Sequence, residues 1–515
     1  MSSSKVNYSS TSLGDEVLDA RFEDALKELR AVESPIEPHL VGDRVVEDGN
    51  LIERFDPCVP GARVSAARAG SVEVVQAAVA EARAAFRGWR AMPYAERTRA
   101  LRAVAAETSE RIAEIAAIVS AETGKTRLEA VGETQEVLDM IEHYCSLMED
   151  NDGYHAVQKS TDTEKNYDVL VPYGVFAVIS PFNFPVALTV GMMTGALVTG
   201  NTVVLKPSDK TPRSTAEIAR IFHSHLPSGV VNIVHGGADT GRALAATDVD
   251  GIAFTGSAQV GWDLVETPSP TGIPRPVLAE MGGQNPAIVA VSANLDDAAE
   301  GIVRSAFGLS GQKCSACRRV VVVDEVAEAL VEKIVARAEA LVVGDPLDTA
   351  TNMGPVIDDA IARRVDDAIE VGRRDGTIRT GGRVPDREGN FFAPTVVTDL
   401  PDGHPLTRDE LFAPFLAITT VPDFAAALDE ANAVEYGLSA GVFSRDEDEV
   451  QLFLDDIEAG VVYVNRAAGA TTGAWPGVQS FCGWKRSGSS GKGGLGLWYL
   501  PGFMKEQSRT IVRAV

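Results

Sequence analysis

Cysteine is scarce here, and its count is odd. The 515-residue chain has five, without the regular spacing of a disulfide framework, which excludes a small secreted scaffold. Basic residues are also short: 47 Lys and Arg stand against 73 Asp and Glu, for a net charge of -26. Nucleic-acid binding needs a basic face, so no nucleic-acid partner is expected. Long apolar runs are missing. The longest, Val186 to Gly200, is broken by Gly and Thr and falls short of the roughly 20 residues of a membrane span. Met1 to Ser12 is polar and holds no apolar signal region. Together these absences predict a cytoplasmic protein with no membrane partner. The fingerprint G-x-G-x-x-G is absent from the strand-to-helix turns. Cys314-Ser315-Ala316-Cys317 is a C-x-x-C motif, but no second C-x-x-C or nearby His completes a metal set, so no metal site is expected.

What remains is ordinary globular material, 45% hydrophobic and 23% charged. The length predicts two or three domains. A polar leader, 1–35, carries one amphipathic stretch from Glu16 to Arg30. Helical spacing of apolar residues follows from Ser71, a plausible N-cap, and then over Ala95 to Ser120 and Arg127 to Met148. Glu129, Glu133, Glu136 and Asp139 on the last of these read as a solvated face. From Val175 strands and helices alternate: Val175–Ile179, a helix to Thr199, Thr202–Leu205, a helix, Val230–Val234, a helix, Gly251–Phe254. A second alternating region spans Pro286 to Val464. This pattern means βαβ units and parallel sheets, an α/β fold whose ligands bind at strand ends. Thr161 to Tyr173 and Ser508 to Val512 read as separate strands.

Four stretches could carry chemistry. Cys314 lies in a turn of small and polar residues between a helix and the strand Arg319–Val323, where a thiol can be held rigid and reached by substrate. Glu280, flanked by apolar residues and followed by Gly282-Gly283, suits a general base if burial raises its pKa. Asn183, between Pro181 and Pro185, can point a rigid N–H at an oxyanion. Lys206-Pro207-Ser208-Asp209 ends one strand, and Phe254-Thr255-Gly256-Ser257, with Gly261 opening the next helix, ends another. A Lys and a carboxylate can grip a ribose, and a Gly-Ser turn at a helix N-terminus can receive a pyrophosphate.

Taken in order, Pro181-Phe182-Asn183, Lys206-Pro207-Ser208, Phe254-Thr255-Gly256-Ser257, Glu280-Met281-Gly282-Gly283 and Gly311-Gln312-Lys313-Cys314 resemble the motifs of the aldehyde dehydrogenase superfamily. Glu410-Leu411-Phe412 resembles its element at the nicotinamide ribose. The resemblance implies a Rossmann-type NAD-binding domain (36–160 and 174–285), an α/β catalytic domain (286–465), and a β-arm with C-terminal strand (161–173 and 484–515) that joins subunits into a homo-oligomer, dimer or higher. It implies catalytic roles for Cys314, Glu280 and Asn183, and cofactor contacts from Ser180, Pro181, Phe182, Lys206, Ser208, Asp209, Phe254, Gly256, Ser257, Gly261, Glu410 and Phe412.

Ser315 after the cysteine, Thr472-Gly473-Ala474, Phe481, and Tyr499-Leu500-Pro501 are similar to the 1-pyrroline-5-carboxylate dehydrogenase group. That likeness implies oxidation of L-glutamate gamma-semialdehyde. Ser315, Gly473 and Ala474 would hold the carboxylate, Glu136 the ammonium, and Phe184 and Phe481 the aliphatic chain. Another aldehyde as substrate is the alternative. The sequence departs from the family pattern at Cys482 and Ala413, where Gly is usual, and at Asp209, where Glu is commoner. A carboxylate at 209 accepts from both ribose hydroxyls and repels a 2′-phosphate, which favours NAD over NADP.

Overall fold

The computed structural model describes residues 15–467 and 474–512. Two seven-stranded sheets dominate. In order across the first run Val277–Glu280, Gly251–Thr255, Val175–Ile179, Thr202–Lys206, Val231–Ile233, His39–Val41 and Arg44–Val46. The first five are mutually parallel and the last two add an antiparallel edge. The second sheet runs Thr377–Arg383, Phe392–Thr398, Phe415–Val421, Cys317–Val323, Asn285–Val289, Ser439–Phe443 and Val461–Val464, parallel except for its first pair. The expected α/β fold class is therefore observed. The expected separate strands form a third sheet, in which Met504–Val512 pairs antiparallel with Glu164–Pro172, itself paired with His155–Val157.

The Val-rich runs are strands because both their faces are covered. Phe176, Val178, Val203 and Leu205 enter one core, while Val175, Ala177, Ile179 and Val204 enter the core on the opposite face. The second sheet repeats this, with Val320 and Val322 on one side and Val321 on the other. Each such side chain contributes about 1.5–3 kcal/mol on full burial. The Val72–Ala91 helix starts where expected, with Ser71 accepting from the Val74 N–H. The amphipathic leader stretch is the helix Glu16–Ala31, capped by Asp15 and anchored by fully buried Phe22 and Leu26.

Three expectations need correction. The helical run from Ala95 to Ser120 is two helices, Tyr94–Glu110 and Ile112–Thr123, broken at Arg111 (φ -106°, ψ 16°). Within the second alternating region the apolar pattern marks no element over 342–416, yet a helix spans Asp359–Asp375 and two strands follow. Its buried Ile361, Val365, Ala368 and Ile369 keep helical spacing, but the dense Arg and Asp between them mask it.

The third correction concerns the acidic face of the Arg127–Asp150 helix, which is largely buried. Glu133 is fully buried against Lys125, also fully buried, and accepts from the Val186 and Ala187 N–H groups at 2.9 and 3.2 Å. Glu136 is 6% exposed. Here the helix packs against its neighbouring helices and the Leu309 turn, so carboxylates that would solvate an outer helix serve as acceptors for buried donors. Glu133→Ala strands the Lys125 ammonium and two N–H groups in the core. Removing one partner of a buried pair costs about 3–5 kcal/mol, so a denaturant titration should show a large drop in midpoint.

Candidate active site

An edge strand of the first sheet leads into an interior strand of the second. Val277–Glu280 ends the first, and Met281 to Gln284 lead directly into Asn285–Val289 of the second. In the first sheet the chain winds one way from Val175–Ile179 and the other way from Gly251–Thr255. That reversal is the switch point at which parallel sheets open a crevice beyond their carboxyl ends. The turns after these strands carry Ser180 to Asn183 and Gly256-Ser257.

Beside the crevice lies a cavity open to solvent on one side. Glu136, Met140 and Tyr144 from the Arg127–Asp150 helix form one wall, at successive spacings of four. Phe184, Leu188 and Met192 form a second. Lys313, Cys314 and Ser315 face it, with Glu280, Ala474, Phe481 and Tyr499 completing the enclosure. The structure thus brings together Cys314, Glu280, Ser315, Ala474, Phe184, Phe481 and Glu136. Gly473 lies outside the described residues. Asn183 sits behind the wall, 4% exposed, with its side-chain amide donating to the Gln312 carbonyl at 3.0 Å.

The cysteine turn is rigidly built. The Leu295–Phe307 helix ends, and Leu309, Ser310 and Gly311 all take left-handed backbone (φ 50°, 52° and 68°). Such conformations are unfavourable for non-glycine residues and must be held by their surroundings. The Leu309 N–H donates to Glu129 at 2.6 Å, and the Ser310 hydroxyl donates to the Gly354 carbonyl at 2.6 Å. The Asn285 amide donates to the carbonyls of Cys314 (2.7 Å) and Ala316 (2.9 Å). Arg318 spans to the carbonyls of Lys313 and Ala413 at 2.9 and 3.0 Å. A Cβ on Gly311 would come 2.1 Å from the Ala413 carbonyl oxygen. Gly311→Ala therefore adds a left-handed residue and a clash, and should cost about 1–3 kcal/mol, read as a lower melting temperature together with a fall in kcat as the turn moves.

Electrostatics differ sharply between the two reactive candidates. Burial pushes the Glu280 carboxyl up to about 7, although the Gly494 N–H donates to it at 2.7 Å. That is the range in which a carboxylate can both take and release a proton near neutral pH. Burial, then the carboxyls of Glu410 and Glu280, push the Cys314 thiol up to about 12. Cys317 is a free thiol in the core of the second sheet, donating to the Arg319 carbonyl at 3.3 Å. It belongs to the strand, not to the cavity.

Several of the remaining motif residues lie in the turns that follow strands of the first sheet. The Lys206 ammonium donates to the carbonyls of Pro207 (2.7 Å) and Gly236 (2.9 Å), and burial lowers its pKa to about 8. Ser208 accepts from the Lys210 N–H, and Asp209 is half-buried beside it. Ser180 presents a buried hydroxyl with no hydrogen-bond partner among the described residues. Ser257 caps the Ala258–Glu266 helix. Gly261 lies within that helix, where a Cβ would meet the Met281 sulfur at 2.3 Å, and Phe254 packs over Gly256. The paired glycines after Glu280 admit Glu410: a Cβ on Gly282 would come 2.0 Å from its carboxylate, and the Gly283 N–H donates to it at 3.0 Å. Phe182 and Phe412 meet edge-on at 5.8 Å, with Arg318 over Phe412. Sequence reasoning gave no role to Asn285 or to Met140 and Tyr144. The spacing of four from Glu136 was the available signal for the latter pair.

The model of the aldehyde dehydrogenase family matches residues 45–507. The 1-pyrroline-5-carboxylate dehydrogenase of Geobacillus sp. (strain WCH70) is 35% identical over 499 residues, 95% of each chain. A crystal structure of 1-pyrroline-5-carboxylate dehydrogenase from Thermus with bound NAD superimposes with a TM-score of 0.92 at 34% identity, covering 97% of both chains. Proline utilization A from Bdellovibrio bacteriovorus matches at TM-score 0.93 and 30% identity, and the chain spans 52% of its length. Matched by the family model over residues 45–507 and similar to these relatives along nearly its whole length, the chain belongs to the aldehyde dehydrogenase family.

Proposed function

We propose that the protein oxidises L-glutamate gamma-semialdehyde, the open form of 1-pyrroline-5-carboxylate, to L-glutamate with NAD. The observation that carries this reading is the cavity itself. One enclosure joins the Cys314 thiol and the Glu280 carboxyl to a second acidic group, Glu136, and to the Ser315 and Ala474 turns, with aromatic walls at Phe184 and Phe481. An aldehyde at one end of a short aliphatic chain and an amino acid head at the other match those groups in kind. The identity to 1-pyrroline-5-carboxylate dehydrogenases over nearly the whole chain supports the same substrate.

The crevice fits a dinucleotide. The unpartnered Ser180 hydroxyl, the Lys206 ammonium and the Asp209 carboxylate offer partners for sugar hydroxyls, and the capped helix start at Ser257 offers N–H groups and a positive dipole end for phosphate. Glu410 and Phe412 would hold the nicotinamide end. NAD supplies the hydride acceptor. Cys314 attacks the aldehyde carbon as thiolate, its proton leaving to solvent. The second hydrogen of the Asn183 amide, whose first is fixed on Gln312, stabilises the oxyanion. Loss of hydride leaves a thioester on Cys314. Glu280 then takes a proton from water, which attacks the thioester carbon and releases glutamate and the thiolate. The C-terminal strand and its Glu164–Pro172 partner would join subunits into a homo-oligomer.

NADH formation with pyrroline-5-carboxylate, beside propanal, tests the substrate. The semialdehyde should win by orders of magnitude in kcat/KM; equal rates would leave the family chemistry and remove this substrate. Asp209 tests cofactor choice. Asp209→Ser removes the charge that repels a 2′-phosphate, and should narrow the NAD over NADP preference by about tenfold or more, the size of one electrostatic contact of about 1.4 kcal/mol.

A further inference from the structure

Around the start of the Arg127–Asp150 helix stand four charged side chains in or near the core that the chemistry does not use, Lys313 among them reaching over from the cysteine turn. Lys125 and Glu133 are ion-paired at 0% side-chain exposure. Glu129 and Lys313 stand 3.5 Å apart at 15% and 9%. Replacing a buried ion pair by apolar residues of similar size is often neutral or stabilising, so stability alone does not account for such a pair. Its contacts offer another account. The Lys125 ammonium lies 3.8 Å from the centre of the Phe184 ring. Glu133 fixes the N–H groups of Val186 and Ala187, where the next helix begins. Both therefore grip the Asn183–Phe184 turn. Glu129 takes the Leu309 N–H at 2.6 Å and stands beside Lys313. It grips the strained turn that carries Cys314. Thr126 closes the helix start by a capping box with Glu129.

We infer that Lys125, Glu133 and Glu129 are positioning residues that set the nucleophile turn against the substrate wall and its oxyanion donor. Lys125 and Glu133 act through Phe184 on substrate binding; Glu129 acts through Leu309 on the placement of Cys314. This rests on the reading of Cys314 as nucleophile and not on which aldehyde is oxidised.

The two halves should move different parameters. In the double variant Lys125→Met/Glu133→Gln the charges go, while the Gln carbonyl still accepts the helix N–H groups. It should melt within a few degrees of wild type, raise aldehyde KM by about tenfold, and leave kcat within about threefold. Phe184→Leu should raise KM similarly, and the triple variant should rise no further, since the pair acts through that ring. Glu129→Ala should lower kcat and change the rate of Cys314 alkylation by iodoacetamide, each by about tenfold, with KM little changed, and Glu129→Gln, which keeps the acceptor, should stay within about twofold. Alkylation needs no aldehyde, so it separates failure of this inference from failure of the substrate assignment. Folded variants with wild-type constants, or a Lys125/Glu133 effect that adds in full to Phe184→Leu, would overturn it. If the paired variant does not fold, the Glu129 series decides by the same criteria.

Discussion

Cys314→Ala should abolish aldehyde oxidation, lowering kcat by more than about 10⁴-fold, while the protein folds and binds NAD as before. Covalent catalysis has no substitute route when the nucleophile is missing, so losses of this size are expected where one group carries the bond-forming step. The fold should be indifferent. Cys314 is half-buried at a cavity wall, and the turn is held by backbone and by Asn285, Arg318 and Glu129, none of which needs the sulfur. Cys317→Ala gives the contrast. Its thiol lies in the sheet core and donates to the Arg319 carbonyl, so that variant should keep its chemistry and lose a little stability. Equal inactivation by both changes would instead make the two cysteines of the C-x-x-C motif a reactive pair.

Glu280→Gln should separate the two halves of the reaction. The amide keeps the shape and can still accept from the Gly494 N–H, but it cannot take a proton from water. Rapid mixing should show one burst of NADH per active site, then a steady rate lowered by about 10²–10⁴-fold, the usual share of a general base. The pH dependence follows from the carboxyl near 7. Below that pH the group is protonated and cannot act as base, so hydrolysis of the thioester should fall about tenfold per pH unit below 7 and level off above it. In Glu280→Gln that limb should disappear. A limb that survives the substitution would assign the base elsewhere, with Glu410 the next carboxyl to test.

Much of this framework was legible because its causes are local. Strands such as Val175–Ile179 and Cys317–Val323 are apolar on both faces, and a parallel sheet covered by helices on both sides requires that. Cys314 sits in a turn and Glu280 at a strand end, and the glycines and small residues beside them announce a close approach. What escaped notice depended on partners far away in the chain. The acidic row from Glu129 to Asp139 has the spacing of a solvated face. Only tertiary packing against Phe184, Val186 and Leu309 turns its first members into acceptors for buried donors. Asn285 looks like a residue before a proline, and its hold on the Cys314 carbonyl comes from sheet register. The Gly282-Gly283 pair was legible as a tight place, but the Glu410 carboxylate it admits lies 127 residues on.

The central claim is that Cys314 carries a thioester made from the semialdehyde. Its most direct test mixes Glu280→Gln with NAD and pyrroline-5-carboxylate, quenches in acid so that the substrate amine stays protonated, and weighs the peptides. The account predicts a glutamyl group on the peptide bearing Cys314, in amount matching the NADH burst. A burst with Cys314 unmodified, or the group found on Cys317 or Cys482, would contradict it.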